Sequence, residues 1–92
     1  MSKWELVSFV KASEMRFNIL LSLYEKVHTP TELKQKFEVP ISRISSILKE
    51  LSEEGLVENL TPDRRKSKIF SITKKGKNVL SEINKLSELE EG

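Results

Sequence analysis

The sequence predicts one mainly α-helical domain with a small β-hairpin. The chain has 92 residues, enough for a single hydrophobic core and too few for two. Through most of the chain, apolar residues recur at three- and four-residue steps, the spacing of helix faces, and only two short runs alternate like strands. With 33% charged and 37% hydrophobic residues, the composition is typical of a folded chain in water, not of a membrane-spanning or disordered one.

Two helices are predicted in the first half of the chain. Ser13 is a suitable N-cap for a helix whose apolar residues, within 15–24, cover so much of its surface that we expect it to be central and largely enclosed. A second, short helix follows, because Thr29-Pro30-Thr31-Glu32 has the pattern of a capping box with proline at the first helical position. We interpret His28 as a loop residue ahead of this helix.

A third helix is predicted over residues 41–54. Its apolar positions 41, 44, 47, 48 and 51 have the spacing of one helix face, and Gly55 supplies a left-handed stop after the helix. The other side of the helix is then mostly small or polar. The side chains expected there or flanking it include Ser42, Arg43, Ser45, Ser46 and Lys49.

The β-hairpin is predicted from two alternating runs, residues 56–60 and 68–73, which Thr61-Pro62-Asp63 separates. Its tip, residues 63–67, contains no apolar residue and is expected to stand in solvent. Thr73 is a suitable cap for a last helix over residues 74–90, whose apolar positions 79, 80, 83, 86 and 89 again recur at helical steps. The expected order is therefore helix, helix, helix, hairpin, helix.

The formal net charge of +2 conceals an uneven distribution of charge. Between Thr61 and Lys77, seven basic residues stand against one acidic residue, a local net charge of +6. Between Leu80 and Gly92, four acidic residues stand against one basic residue, a local net charge of −3. The chain thus combines a basic block on the hairpin and the start of the last helix with an acidic tail.

This order of elements predicts a helix-turn-helix whose third helix can enter the major groove of double-stranded DNA, and the basic hairpin makes it a winged helix. Small serine side chains let the helix backbone approach base edges, while arginine and lysine reach phosphates or guanine. We therefore expect a sequence-specific transcriptional regulator with a recognition helix over residues 41–54 and a basic wing over 61–68 on the DNA backbone or minor groove. The expected DNA-binding residues are Thr31, Ser42, Arg43, Ser45, Ser46, Lys49, Arg64, Arg65, Lys66 and Lys68.

The whole chain, residues 1–92, is expected to be this single domain, with its N-terminal segment 1–12 and its last helix 74–90 as dimerisation elements. A domain of this size buries little surface by itself, and the apolar residues between Trp4 and Val10 are too dense for a solvated tail. The expected contacts of a homodimer are Trp4, Val7, Phe9, Val79, Ile83 and Leu86.

Five blocks of sequence carry a resemblance to a known family. They are Ser13-Glu14-Met15-Arg16 with Ile19-Leu20, Thr29-Pro30-Thr31-Glu32-Leu33, residues 44–51, Gly55-Leu56-Val57 and Ile72-Thr73-Lys74-Lys75-Gly76. In this order they resemble winged-helix transcriptional regulators of the MarR and ArsR groups, and small archaeal members most closely. The resemblance implies a homodimer in which N- and C-terminal helices pair, presenting two recognition helices and two wings to a pseudo-palindromic operator. Two residues depart from the sequence pattern of this family: many relatives carry Arg at the position of Ser46 and His at the position of Ile47.

Several other functions are excluded by the residues that the sequence lacks. Without Cys and with a single His, the chain has no disulfide, no thiol nucleophile and none of the usual ligands of ArsR-type metal sensors, so we expect no metal or other cofactor. The sequence shows no recognisable catalytic set of a nucleophile, a base and an oxyanion donor. We therefore expect that the protein is not an enzyme. The absence of a signal peptide predicts a cytoplasmic protein. The alternative function is a winged helix that binds another protein and no specific DNA. A small-molecule effector stays an open question.

Overall fold

The computed structural model describes the backbone of residues 2–91 and the side chains of residues 2–86. Within them lie five helices and one antiparallel hairpin: α1 (Lys3–Lys11), α2 (Glu14–Glu25), α3 (Pro30–Phe37), α4 (Ile41–Glu53), β1 (Val57–Asn59), β2 (Phe70–Ile72) and α5 (Lys74–Glu91). The mainly helical fold with a small hairpin is confirmed, and α1 adds a helix to the expected order. None of these helices is long and apolar enough to cross a membrane.

The additional helix, α1, packs its apolar side against α2 and α5. Leu6, Val7 and Val10 are buried, and their spacing is that of a single helix face. Lys3 Nζ lies 2.9 Å from Glu82 Oε1 of α5, which ties the exposed edge of α1 to that helix. This hydrogen bond holds the pKa of Glu82 below its ordinary value.

The core is centred on α2, which contacts α1, α4, α5 and β2. Ile19 and Leu20 are fully buried in it. The helix is nevertheless less enclosed than its many apolar residues predict, because Leu21 remains 38% and Tyr24 55% exposed. The neighbouring elements cover the other sides of α2. Leu21 and Tyr24 therefore line an open groove of about 400 Å³ between α2 and α5.

The end of α4 is joined tightly to the start of α5. Gly55 has φ +74°, and the amide of Leu56 donates to the carbonyl of Leu51 at 2.9 Å, so α4 ends in a Schellman motif as the glycine predicts. The Thr73 hydroxyl donates to the carbonyl of Gly55 at 2.7 Å and accepts from the amide of Gly76 at 3.1 Å. Thr73 therefore caps α5, as expected, and also fixes that helix to the end of α4.

The hairpin pairs three residues of each strand, fewer than the two alternating runs suggest, with Glu58 opposite Ser71 at its centre. A third segment extends it, because the backbones of His28 and Phe70 exchange hydrogen bonds of 3.2 and 2.9 Å. His28 does precede α3, but it is only 5% exposed, and its Nδ1 lies 2.9 Å from the carbonyl of Lys26. The sheet thus anchors the loop between α2 and α3 to the wing.

Candidate nucleic-acid interface

The short helix α3 begins with the capping box that its sequence predicts. Thr29 Oγ1 accepts from the amide of Glu32 at 3.1 Å, and Glu32 Oε1 accepts from the amide of Thr29 at 2.8 Å. The hydrogen bond from the Thr29 backbone lowers the pKa of Glu32, since it favours the ionised carboxylate. Thr31, an expected DNA-binding residue, lies exposed in this capped first turn.

A turn of three residues separates α3 from α4 and sets the angle at which α4 starts. Glu38 ends α3 in the left-handed conformation, with φ 53° and ψ 45°. Pro40 then precedes α4, and its carbonyl accepts from the amides of Arg43 at 3.1 Å and Ile44 at 3.3 Å. The proline cannot continue α3, and its extended backbone suits the residue before a new helix.

The helix α4 divides sharply into a buried side and an exposed side. Its buried side chains are Ile44, Ile47, Leu48 and Leu51, each 5% exposed or less. The five residues of α4 expected to bind DNA, which are Ser42, Arg43, Ser45, Ser46 and Lys49, are all exposed. Because the buried side of α4 consists of these four apolar side chains, the serines and the two cations are left on the surface of the helix.

One arginine of α2 holds α4 against the rest of the fold. Arg16 Nη2 donates to Glu50 Oε2 of α4 at 2.6 Å, while Nη1 donates to the carbonyl of Phe9 at 2.9 Å. The guanidinium carbon also lies 4.1 Å from the centroid of the Phe9 ring. A single partly buried side chain thus connects α1, α2 and α4, and neutralises a carboxylate that flanks the exposed side of α4.

The wing is closed at its base and open at its tip. Asn59 Oδ1 accepts from the amide of Thr61 at 2.8 Å, and the Thr61 hydroxyl accepts from the amide of Ile69 at 3.0 Å. The amide of Leu60 donates to the carbonyl of Ile69 at 2.7 Å. Residues 62–67 beyond this base are all exposed, as expected for the tip.

Among the side chains of residues 2–86, no carboxylate forms an ion pair with a cation of the wing. Arg64, Arg65 and Lys66 are exposed and Lys68 is half-buried. The ion pairs found among residues 2–86 join other residues, so no carboxylate in that part of the chain neutralises these four charges. The same part of the chain contains no group of three side chains that could hold a metal ion.

One residue of α4, Ile41, is more exposed than its position in the apolar pattern predicts. Ile41 has the spacing of the apolar side, but it is 42% exposed, whereas Ile44 is fully buried. The reason is its place in the first turn, where it stands about 70° around the helix from the centre of the buried side. Its position directly after Pro40, at the very start of the helix, was the available signal.

The residues expected at a dimer interface divide into two groups. Val7, Val79 and Ile83 are buried within the single chain, and Phe9 and Leu86 are partly buried against the same core. Trp4 is 59% exposed on α1. Leu89 and the acidic residues 88, 90 and 91 lie outside the described side chains.

Comparison with protein families identifies the fold from sequence. The model of the family described as winged helix-turn-helix matches residues 11–91, which include every element from α2 to α5. The chain belongs to the winged helix-turn-helix family. In winged-helix terms, α3 and α4 form the helix-turn-helix and the β1–β2 hairpin forms the wing. No curated protein is similar enough in sequence to count as a match.

Solved structures share this winged helix. The transcriptional regulator BldR from Sulfolobus solfataricus is 31% identical, with a TM-score of 0.70 over 84% of this chain and 57% of its own. A cysteine-to-serine mutant of MarR from E. coli, complexed with operator DNA, is 25% identical, with a TM-score of 0.74 over 89% of this chain and 60% of its own. The complex structure of hsRosR-SG is 20% identical, with a TM-score of 0.77 over 85% of this chain and 74% of its own, a similarity of fold. The chain thus spans about three fifths of BldR and MarR.

Proposed function

We propose that this protein is a sequence-specific transcriptional regulator that acts by occupying double-stranded DNA, without catalysis. The observation that carries the proposal is that the exposed side of α4 is polar and that, among residues 2–86, no carboxylate forms an ion pair with the cations of the wing. The similarity to MarR, which was solved with operator DNA, supports it.

In the proposed complex, α4 enters the major groove and the wing follows the adjacent backbone or minor groove. Ser42, Ser45 and Ser46 are short, so the helix can come close to base edges, and each hydroxyl can donate or accept a hydrogen bond. Arg43 and Lys49 are long enough to reach phosphates or guanine. The wing cations contribute affinity and position the protein on the duplex, while α4 supplies the sequence preference.

The salt dependence of binding tests the role of the wing. With about three phosphate contacts per wing and two wings, the logarithm of the affinity should fall with the logarithm of salt with a slope of about −5. In the double variant Arg64→Ala/Arg65→Ala about one contact per wing remains, so the slope should change to about −2. The measurement is a gel-shift titration on random-sequence duplex at several salt concentrations.

A control removes an exposed lysine from outside α4, the wing and the proposed dimer helices, Lys26→Ala, and should leave the slope near that of the unmodified protein. If the wing variant and this control bind alike, the wing does not contact DNA. If the unmodified protein fails to shift duplex even at low salt, the DNA-binding proposal is wrong and the alternative, a winged helix that binds protein, is favoured.

We also propose that the protein binds DNA as a homodimer through α1 and α5. The support is the exposed Trp4 on α1, together with the small size of the domain. Val7, Val79 and Ile83 are expected dimer contacts, but they are covered within one chain, so we propose that they hold α1 and α5 in place and do not contact the partner. Sedimentation equilibrium at micromolar concentration should give about twice the chain mass of 10.6 kDa, and Trp4→Ala should weaken association. Only single-chain mass at that concentration would contradict the dimer.

A further inference from the structure

We propose that Ile41 reads the methyl group of a thymine in the major groove, and so contributes to sequence preference. The inference rests on the proposed function, because it assigns a base to one residue of the same DNA-binding helix. The residue stands at the first position of α4, between the turn after α3 and the exposed serines.

Ile41 is not part of the hydrophobic core. Four side chains, Ile44, Ile47, Leu48 and Leu51, already form the complete buried side of α4. Ile41 lies one turn before the first of them and keeps 42% of its surface exposed. Part of an apolar side chain is therefore presented to solvent beside exposed serines, where further burial against a partner would be favourable.

Ile41 lies next to two exposed serines on the surface of α4. Ser45 is four residues further along α4, so it is the neighbour of Ile41 on the helix surface, and Ser42 is adjacent in sequence. Both serines are exposed and shorter than isoleucine. Because isoleucine is longer than serine, the exposed part of Ile41 can reach further from the helix than the hydroxyl groups beside it.

The chemistry of the major groove makes thymine the base that an apolar side chain can recognise. The N-terminal residues of recognition helices are those that contact base edges. Among the groups that base pairs present in that groove, the C5-methyl of thymine is the apolar one, and it is recognised by apolar side chains. A partly exposed isoleucine at this end of α4 thus matches thymine, while the polar groups of the other bases would be left without hydrogen bonds beside it.

The test begins with selection of bound duplexes from a random library, using the unmodified protein and Ile41→Ala. In the enriched duplex each thymidine is then replaced singly by deoxyuridine, which removes only the methyl group. We expect one position in each half-site at which this replacement weakens binding of the unmodified protein about fourfold, the value of one buried methyl group. At that position Ile41→Ala should bind thymidine and deoxyuridine equally, and Ile41→Val should retain most of the difference.

The outcomes separate this inference from the function on which it rests. If the library yields an enriched sequence but no deoxyuridine replacement distinguishes the unmodified protein from Ile41→Ala, the role of Ile41 is refuted and DNA recognition by α4 stands. If the unmodified protein enriches no sequence, the proposed function itself fails. Equal melting temperatures of the two proteins exclude unfolding as the cause of an altered preference.

Discussion

Replacing Gly76 by alanine should destabilise the protein, although the same change inside most helices is stabilising. Gly76 lies in the first turn of α5, above the end of α4. A Cβ added there would lie 2.3 Å from the carbonyl oxygen of Leu56 and 2.7 Å from Cγ1 of Ile72. The carbonyl cannot easily retreat, because it is backbone and accepts the amide of Thr73 at 3.0 Å.

The size of the effect follows from two opposing contributions. Helix propensity alone favours alanine over glycine by about 1 kcal/mol. Forcing a methyl group into a tightly packed site costs about 1–3 kcal/mol and sometimes more, and contact with a backbone oxygen places this site at the upper end. We therefore expect a net loss of about 2 kcal/mol in the free energy of unfolding, or roughly 8–16 °C in Tm for a domain of this size.

Urea unfolding followed by circular dichroism measures this difference. The matched control is Asn78→Ala, two residues further along α5 at an exposed position, where the propensity gain of about 0.5 kcal/mol should appear without a clash. If Gly76→Ala raises stability as the control does, then the close approach of α5 to the end of α4 is not as described, and the reasoning about this junction is wrong.

Three further predictions concern stability. Gly55→Ala should lower the free energy of unfolding by about 1 kcal/mol because φ is +74°, and Gly55→Asn by less; equal losses in urea would contradict this. Arg16→Lys should cost about 1 kcal/mol, since an ammonium cannot bridge Phe9 and Glu50 as the guanidinium does; an unchanged Tm would oppose it. The lowered pKa of Glu32 contributes stability that is present above about pH 4.5 and is lost as pH falls through that pKa, so Glu32→Gln should flatten the acid side of the pH–stability profile.

The helical part of the fold could be predicted from sequence because its signals are local. The capping box at Thr29, the cap at Thr73 and the glycine stop at Gly55 each act within one turn of a helix, and all three are present. The additional helix α1 also has a local signal, because Leu6, Val7 and Val10 have the spacing of one helix face, but the density of apolar residues there predicts only that the segment packs against the domain.

The structural features that could not be predicted from sequence depend on contacts between residues far apart in the chain. The bridge between His28 and Phe70 joins residues 42 positions apart, and no pattern near His28 announces that it is buried. The hydrogen bond of Arg16 to Glu50 spans 34 positions in the same way. The exposed residues of α4 and the wing were predictable, since polarity alone places them outside, but the exposure of Ile41 depends on where the core happens to end.

Because the hydrogen bonds at the base of the wing are complete, the length of the hairpin tip has little effect on the stability of the domain. The hydrogen bonds at Asn59, Leu60 and Ile69 are complete before residues 62–67 begin, and nothing in that tip is buried. Loop-closure entropy rises slowly with length, by about 0.6 kcal/mol for each doubling. Insertions or deletions in the tip should therefore leave the fold intact while they move its charges along a bound surface. Loop length can therefore change the affinity of such a protein for a charged partner while its core and its recognition helix stay the same.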